Sequence, residues 1–317
     1  MRALVYQPKG LQLDKHYPQP VVKQGQALLR IRKAGICNTD MELVRGYMGF
    51  SGVLGHEFGA EVVDGDAAWR GKRVVGEINV ADGECDMCRL GIPSQCRHRT
   101  TVGIDRHQGA FADLMALSVH NLYEVPDHVS DTQAVFVEPL AAALQILEAI
   151  HIQPRQRVVV VGAGKLGLLS AQVLRLTGAE VSVGVRRQKP AQLLAKWGIP
   201  AHSVADIAPK SCDVVVDCTG NAEGFASALE LVKPRGAIVL KSTYAQMPQA
   251  DLTRVVIDEI RVIGSRCGPF GAALRLLASG LVDVDSMVDA HYRFDDALVA
   301  FDKAFEAGAL KIMLDMV

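Results

Sequence analysis

The run "RVVVVGAGKLGLLSAQVLRLTG", residues 157–178, leaves the chain little freedom of fold. Val158, Val159, Val160 and Val161 are consecutive and β-branched, with no polar residue between them. Such a run suits a parallel strand covered on both faces. Gly162, Gly164 and Gly167 follow at the G-x-G-x-x-G spacing, and helical text then continues to a stop at Gly178. A strand that turns through glycines into a helix is the opening of a βαβ nucleotide-binding unit. Gly162 permits the tight turn, and Gly164 lets a pyrophosphate approach the backbone. Gly167 lets the helix pack close to the strand. Lys165 and Leu166 complete the loop, and the first N–H groups of the helix face the phosphates.

The same alternation continues downstream. "EVSVGVR", "CDVVVDCTG", "AIVLKST" and "RVIGSRC" read as strands, and "KPAQLLAKWG" and "AEGFASALELVKPRG" as helices between them. Strands alternating with helices predict a doubly wound parallel sheet over residues 151–268. Residues 1–150 differ. They are rich in glycine and short alternating segments such as "QALLRIRKAGIC" and "FGAEVVDG", and they end in one predicted helix, "DTQAVFVEPLAAALQILEAI". Other helical text, "FGAALRLLASG" and "FDDALVAFDKAFEAG", fills residues 269–317. The expected class is α/β, with a β-rich domain beside the nucleotide domain.

Composition narrows the function classes. Lys and Arg number 34 against 35 Asp and Glu, a net charge of −1. That balance gives no basic field for nucleic acid or a membrane surface. The first twenty residues hold no continuous apolar run, so neither a signal peptide nor a membrane helix is expected, and the cytoplasm is the expected compartment. Seven cysteines, an odd number, argue against a closed disulfide framework. Cys212, Cys218 and Cys267 lie in apolar text and read as buried small hydrophobes. Cys85, Cys88 and Cys96 have the close spacing of a zinc knuckle, but no fourth cysteine.

"GICNTDMELVRG", "VLGHEFGAEVV" and the distant "VFVEPLAAAL" supply Cys37, Thr39, Glu42, His56, Glu57 and Glu138. A thiolate, an imidazole and a carboxylate can bind one zinc and leave a fourth position open, as a catalytic zinc requires.

These segments, with "GAFADLMALSVHNLYEVPD" and the glycine loop, stand in an order that resembles the zinc-dependent medium-chain alcohol and polyol dehydrogenases over essentially the whole chain. The resemblance implies a GroES-like catalytic domain with the doubly wound domain inserted near its end. It implies Cys37, His56 and Glu138 as ligands of a catalytic zinc, with Glu57 an acidic neighbour able to exchange on the metal. Thr39 would take the alcohol proton. Glu42 stands where liver-type enzymes carry a histidine as the relay exit. The structural lobe of the family uses four cysteines, and counting back from Cys85 places Asp82 at the first of them. Asp82, Cys85, Cys88 and Cys96 then form either a zinc site with one carboxylate or a lobe without metal. The segment "RGYMGFSGV" would help wall the substrate pocket, through Tyr47, Met48 and Phe50. A homodimer or homotetramer is the family's usual assembly.

The implied reaction is hydride transfer between an alcohol or carbonyl and a nicotinamide. The ribose-binding carboxylate position falls at Val185, or at Gly184 in the adjacent register, and no acid is present. Arg186, Arg187 and Lys189 follow instead, so NADP is expected over NAD. Two other readings are a zinc-free quinone or enone reductase, and a non-catalytic nucleotide-binding or redox-sensing protein on the same scaffold.

Overall fold

A computed structural model describes residues 1–243 and 249–316. The chain divides into two compact units, Met1–Glu138 with Phe270–Val317, and Pro139–Pro269. This division into compact units falls after Glu138, inside a helix.

Along the first unit run strand β1 (Gln26–Ile36), helix α1 (Asn38–Val44), strands β2 (Glu57–Asp64), β3 (Arg73–Gly76), β4 (Leu114–Ser118) and β5 (Leu122–Glu124), and helix α2 (Asp131–Val135). Helix α3 (Val137–Ala149) begins in this unit and ends in the next. The text from Asp131 to Ile150 therefore forms two helices, not one. Pro139 is the cause: its ring would clash with the carbonyl of Val135 in a continuous helix. The break at Phe136 leaves Glu138 in the first turn of α3.

The second unit contains β6 (Arg157–Val161), α4 (Lys165–Arg175), β7 (Glu180–Gly184), α5 (Gln188–Lys196), β8 (Ala201–His202), β9 (Cys212–Asp217), α6 (Ala222–Leu231), β10 (Val232–Leu240), α7 (Leu252–Ile257) and β11 (Arg261–Gly264). "VKPRG", expected at the end of a helix, instead opens strand β10. Pro234 biases Lys233 toward extended backbone, so the helix stops at Leu231. The six strands are parallel, in the order β8-β7-β6-β9-β10-β11. The chain winds outward from β6 and then crosses to β9, which makes the β6/β9 boundary the topological switch point. Val159, Val161, Val215 and Ile238 pack one face of this sheet with Phe225 and Leu229 of α6. Of the cysteines read as buried, Cys212 and Cys267 are, and Cys218 is half-buried.

The chain then returns to the first unit as α8 (Phe270–Ala278), β12 (Val288–Arg293), α9 (Ala297–Phe305) and β13 (Lys311–Asp315). The main sheet of that unit has the order β5-β3-β2-β1-β13-β12, with β4 also paired to β1. Ala27, Leu29 and Ile31 of β1 are buried and Arg30 is exposed, the period of two of a half-covered strand. Toward its end both faces close, at Ala34, Gly35 and Ile36. Here Gly35 lies opposite Glu57 of β2 on one side and Met313 of β13 on the other. No helix among the described residues is long and apolar enough to cross a membrane.

Candidate active site and nucleotide loop

The end of β1 delivers Cys37 as the N-cap residue of α1, and the start of β2 delivers Glu57 just after His56. One ligand atom from each of Cys37, His56 and Glu57 lies within 4.8 Å of the others. Glu138, expected as the third ligand, is not in that group. Its half-buried carboxyl is pushed up to about 7 by burial, with His56 and Lys311 pulling down and Glu57 and Glu77 pushing up. It therefore shares the electrostatic neighbourhood without closing on Cys37. Thr39 Oγ1 is 3.8 Å from Cys37 Sγ. Glu42 turns to Arg45, 2.6 Å away at the surface. Of the expected pocket wall, Phe50 is buried, Tyr47 half-buried and Met48 exposed.

Two charged residues of this site escaped the sequence reading. Asp40 is fully buried. Its Oδ2 accepts from the Cys37 backbone N–H at 2.9 Å and its Oδ1 from the Gly55 N–H at 3.2 Å. Oδ1 also lies 3.2 Å from His56 Nδ1. Asp40 thus fixes the backbone beside two donors and orients the imidazole of one, as outer carboxylates do at metal sites. Lys311 is the second. It is buried on β13 and its Nζ donates to Glu57 Oε2. Burial alone would lower its pKa, but the Glu57 charge raises it.

These residues suit a cation. Burial disfavours protonated His56, yet Asp40 and Cys37 outweigh it and hold the imidazole pKa well above its usual value. Thiolate, imidazole and carboxylate are the donor types zinc takes.

Asp82, Cys85, Cys88 and Cys96 converge in the same way, all ligand atoms within 4.8 Å of one another. Asp82 Oδ1 accepts from the N–H of Glu84 at 2.8 Å and of Cys85 at 3.2 Å, and Oδ2 lies 2.6 Å from His98 Nδ1. His98 and these N–H groups hold the carboxyl well below the usual range. The Arg97 N–H pulls the Cys85 thiol down to about 7, and burial pushes Cys88 up to about 12. Metal binding here would release protons.

In the second unit the glycine loop has the geometry its spacing requires. Gly162 sits at φ +101°, and a Cβ there would meet the Cys218 carbonyl at 3.0 Å. A Cβ on Gly167 would fall 1.8 Å from Gly162 O, so α4 packs against the turn only because that residue is glycine. Gly164 is exposed, and a Cβ on it meets nothing within 4 Å. The open side of the loop thus faces the start of α4, where Lys165 is buried and Leu166 half-buried. Across the switch point, buried Asp217 accepts from the Thr219 N–H at 2.8 Å and Oγ1 at 2.7 Å, shaping the facing turn. The clue in the sequence was "DCTG" at the end of a strand.

The comparisons with known proteins agree with both halves. Residues 23–127 match the alcohol dehydrogenase GroES-like domain, and residues 166–279 match the zinc-binding dehydrogenase domain. The chain belongs to the zinc-dependent medium-chain dehydrogenase/reductase family. This medium-chain dehydrogenase is 27% identical to the D-arabitol-phosphate dehydrogenase of Enterococcus avium, over 93% of the chain and 91% of that protein. It is 28% identical to the sorbitol dehydrogenase of Halalkalibacterium halodurans, over 94% and 93%. Among solved structures, a zinc-binding dehydrogenase from Sinorhizobium meliloti bound to NADP superposes with a TM-score of 0.90 at 27% identity, covering 99% of both chains.

Proposed function

We propose that this medium-chain dehydrogenase interconverts an alcohol or polyol and the matching aldehyde or ketone, with NADP(H) as hydride carrier. The observation that carries the reading is the cluster of half-buried Cys37 with buried His56 and Glu57, with Glu138 in their electrostatic neighbourhood, on a chain that also holds the glycine loop. Zinc bound by Cys37, His56 and Glu138 would polarise the substrate oxygen. Thr39 would exchange the hydroxyl proton, with Glu42 the carboxylate on the solvent side. Asp40 keeps Cys37 and His56 aimed. Gly164 admits the pyrophosphate, and the N–H groups at the start of α4 bind it. The sorbitol and D-arabitol-phosphate relatives favour polyols. A zinc-free reductase would have no use for this donor set. Initial rates across alcohols, polyols and aldehydes with both nicotinamides test the proposal. Turnover of none of them by zinc-replete protein would defeat it.

We further propose a structural zinc at Asp82, Cys85, Cys88 and Cys96. Elemental analysis of the zinc-replete protein is expected to give two zincs per chain, and Asp82→Ala close to one. A single zinc unaffected by Asp82→Ala would remove the site. The exposed Val262 on edge strand β11, with exposed Leu252, Val256 and Ile257 on α7, favours association into a homodimer or homotetramer. Light scattering that returns the monomer mass would exclude it. Seven cysteines, none of them in a disulfide, suit a reducing cytoplasm.

A further inference from the structure

A carboxylate in the cysteine knuckle brings a need that a thiolate does not. A thiolate offers a metal one atom. A carboxylate offers two, and ligating carboxylates are steadied by hydrogen bonds of their own. At Asp82 the two oxygens have separate partners. Oδ1 faces the cysteines: Cys88 Sγ lies 3.4 Å from it, and it accepts from the N–H groups of Glu84 and Cys85. Oδ2 meets His98 Nδ1 at 2.6 Å. An ionised carboxylate only accepts, so Nδ1 carries the proton of that bond.

His98 is seated by the loop that it steadies. Its backbone N–H donates to Cys96 Sγ at 3.4 Å, and the N–H of Arg97 donates to Cys85 Sγ at 3.5 Å. The Asp82 N–H also donates to Cys96 Sγ, at 3.4 Å. His98 thus touches Cys96 through its backbone and Asp82 through its side chain, joining two members of the cluster that are 14 residues apart. The imidazole is 74% exposed, so the bond to Asp82 and not burial places it.

We propose that His98 is a positioning residue for metal binding: it holds Asp82 Oδ2, so that the carboxylate offers the single oxygen Oδ1 to a zinc shared with Cys85, Cys88 and Cys96. This role rests on the reading of those four residues as a structural zinc site. Without His98, Oδ2 loses its donor, and the carboxylate is free to rotate or to take the metal through both oxygens. Either change loosens a tetrahedral site. The histidine is needed only because residue 82 is an aspartate. That dependence separates a positioning role from a general bracing of the loop.

The test is zinc release to a chelator, measured on the full-length, zinc-replete protein. The release phase that Asp82→Ala lacks belongs to this site. His98→Ala is expected to speed that phase about tenfold, the lower end of what an outer partner contributes at a metal site, because His98 is exposed. His98→Asn returns an N–H donor near the place of Nδ1 and should recover most of the wild-type rate. Asp82→Cys supplies a thiolate with no second oxygen, and in that background His98→Ala should leave release unchanged. A histidine that merely braced the loop would speed release in both backgrounds. An unchanged phase in His98→Ala, or equal acceleration in the Asp82→Cys background, would overturn the proposal. So would zinc lost from His98→Ala but kept by Asp82→Ala, since His98 would then be the fourth ligand. Asp82→Ala and His98→Ala that both release zinc as the wild type does would remove the zinc site itself, and the role of His98 with it.

Discussion

Cys37→Ser is expected to lower kcat/KM at least about a thousandfold while leaving nucleotide binding near wild type. The size follows from the step at stake. Metal polarisation of a reacting oxygen contributes several kcal/mol, and each 1.36 kcal/mol is a factor of ten in rate. The substitution is a clean probe because of where Cys37 sits. It is the N-cap of α1, a position at which serine is among the preferred residues. Its backbone N–H donates to Asp40, a bond that survives any side-chain change. The loop should therefore keep its shape while the soft thiolate donor is lost. Elemental analysis is expected to show about one zinc fewer per chain. Fluorescence titration with the reduced nicotinamide reports on the second unit, which holds the glycine loop and not Cys37. A variant that retains a tenth of wild-type kcat/KM would remove zinc ligation by Cys37 from the mechanism.

The parts of this molecule that could be read from the sequence are those whose physics is local. Four valines followed by glycines at 162, 164 and 167 declare a strand, a turn and a helix within a dozen residues, and each glycine has the stereochemistry its place requires. The convergence of Asp82 with three cysteines follows from spacing within one short loop. Asp40 and Lys311 were not legible, because nothing local distinguishes them from solvated charges. Asp40 looks like an ordinary acid in the first turn of a helix until Gly55 and His56 fold over it. Lys311 lies 254 residues from Glu57, and only the pairing of β13 with β1 buries it there. Gly35 is hidden for the same reason: its need to be glycine comes from Val135, Glu57 and Lys311, all distant in sequence or on other strands. The helix boundaries near Phe136 and Leu231 turned on proline. A propensity reading passes over one proline in an apolar run, while the backbone does not.

NADP(H) is expected to be preferred over NAD(H) by about ten- to a hundredfold in kcat/KM, with the preference residing in Arg186 and Arg187. Strand β7 ends at Gly184, so Val185 is the first residue beyond its carboxyl end, where a doubly wound fold meets the adenosine ribose. Val185 is half-buried, held by its N–H to His202 O at 2.9 Å, and offers no acceptor to a ribose hydroxyl. Arg186 and Arg187 follow, both exposed, and Arg187 is the N-cap of α5. Arg186 pairs with Glu223 at 3.5 Å, with both side chains more than two-thirds exposed. An ion pair so solvated holds weakly, so Arg186 is free to exchange Glu223 for a phosphate. Guanidinium gives paired, charge-assisted bonds to phosphate oxygens. Hydrogen bonds to charged groups contribute roughly 1.5–3 kcal/mol, and 1.4 kcal/mol is a factor of ten, which sets the expected range. Arg186→Ala/Arg187→Ala should erase the preference by raising KM for NADP(H) alone. Val185→Asp should reverse it, because a carboxylate accepts from the ribose and repels the 2′-phosphate. Gly184 is not the place for that acid: a Cβ there would fall 2.7 Å from Val204 Cγ2. A wild-type enzyme that favours NAD(H), or a double-alanine variant with an unchanged cofactor ratio, would show that these arginines are solvated charges and not a phosphate site.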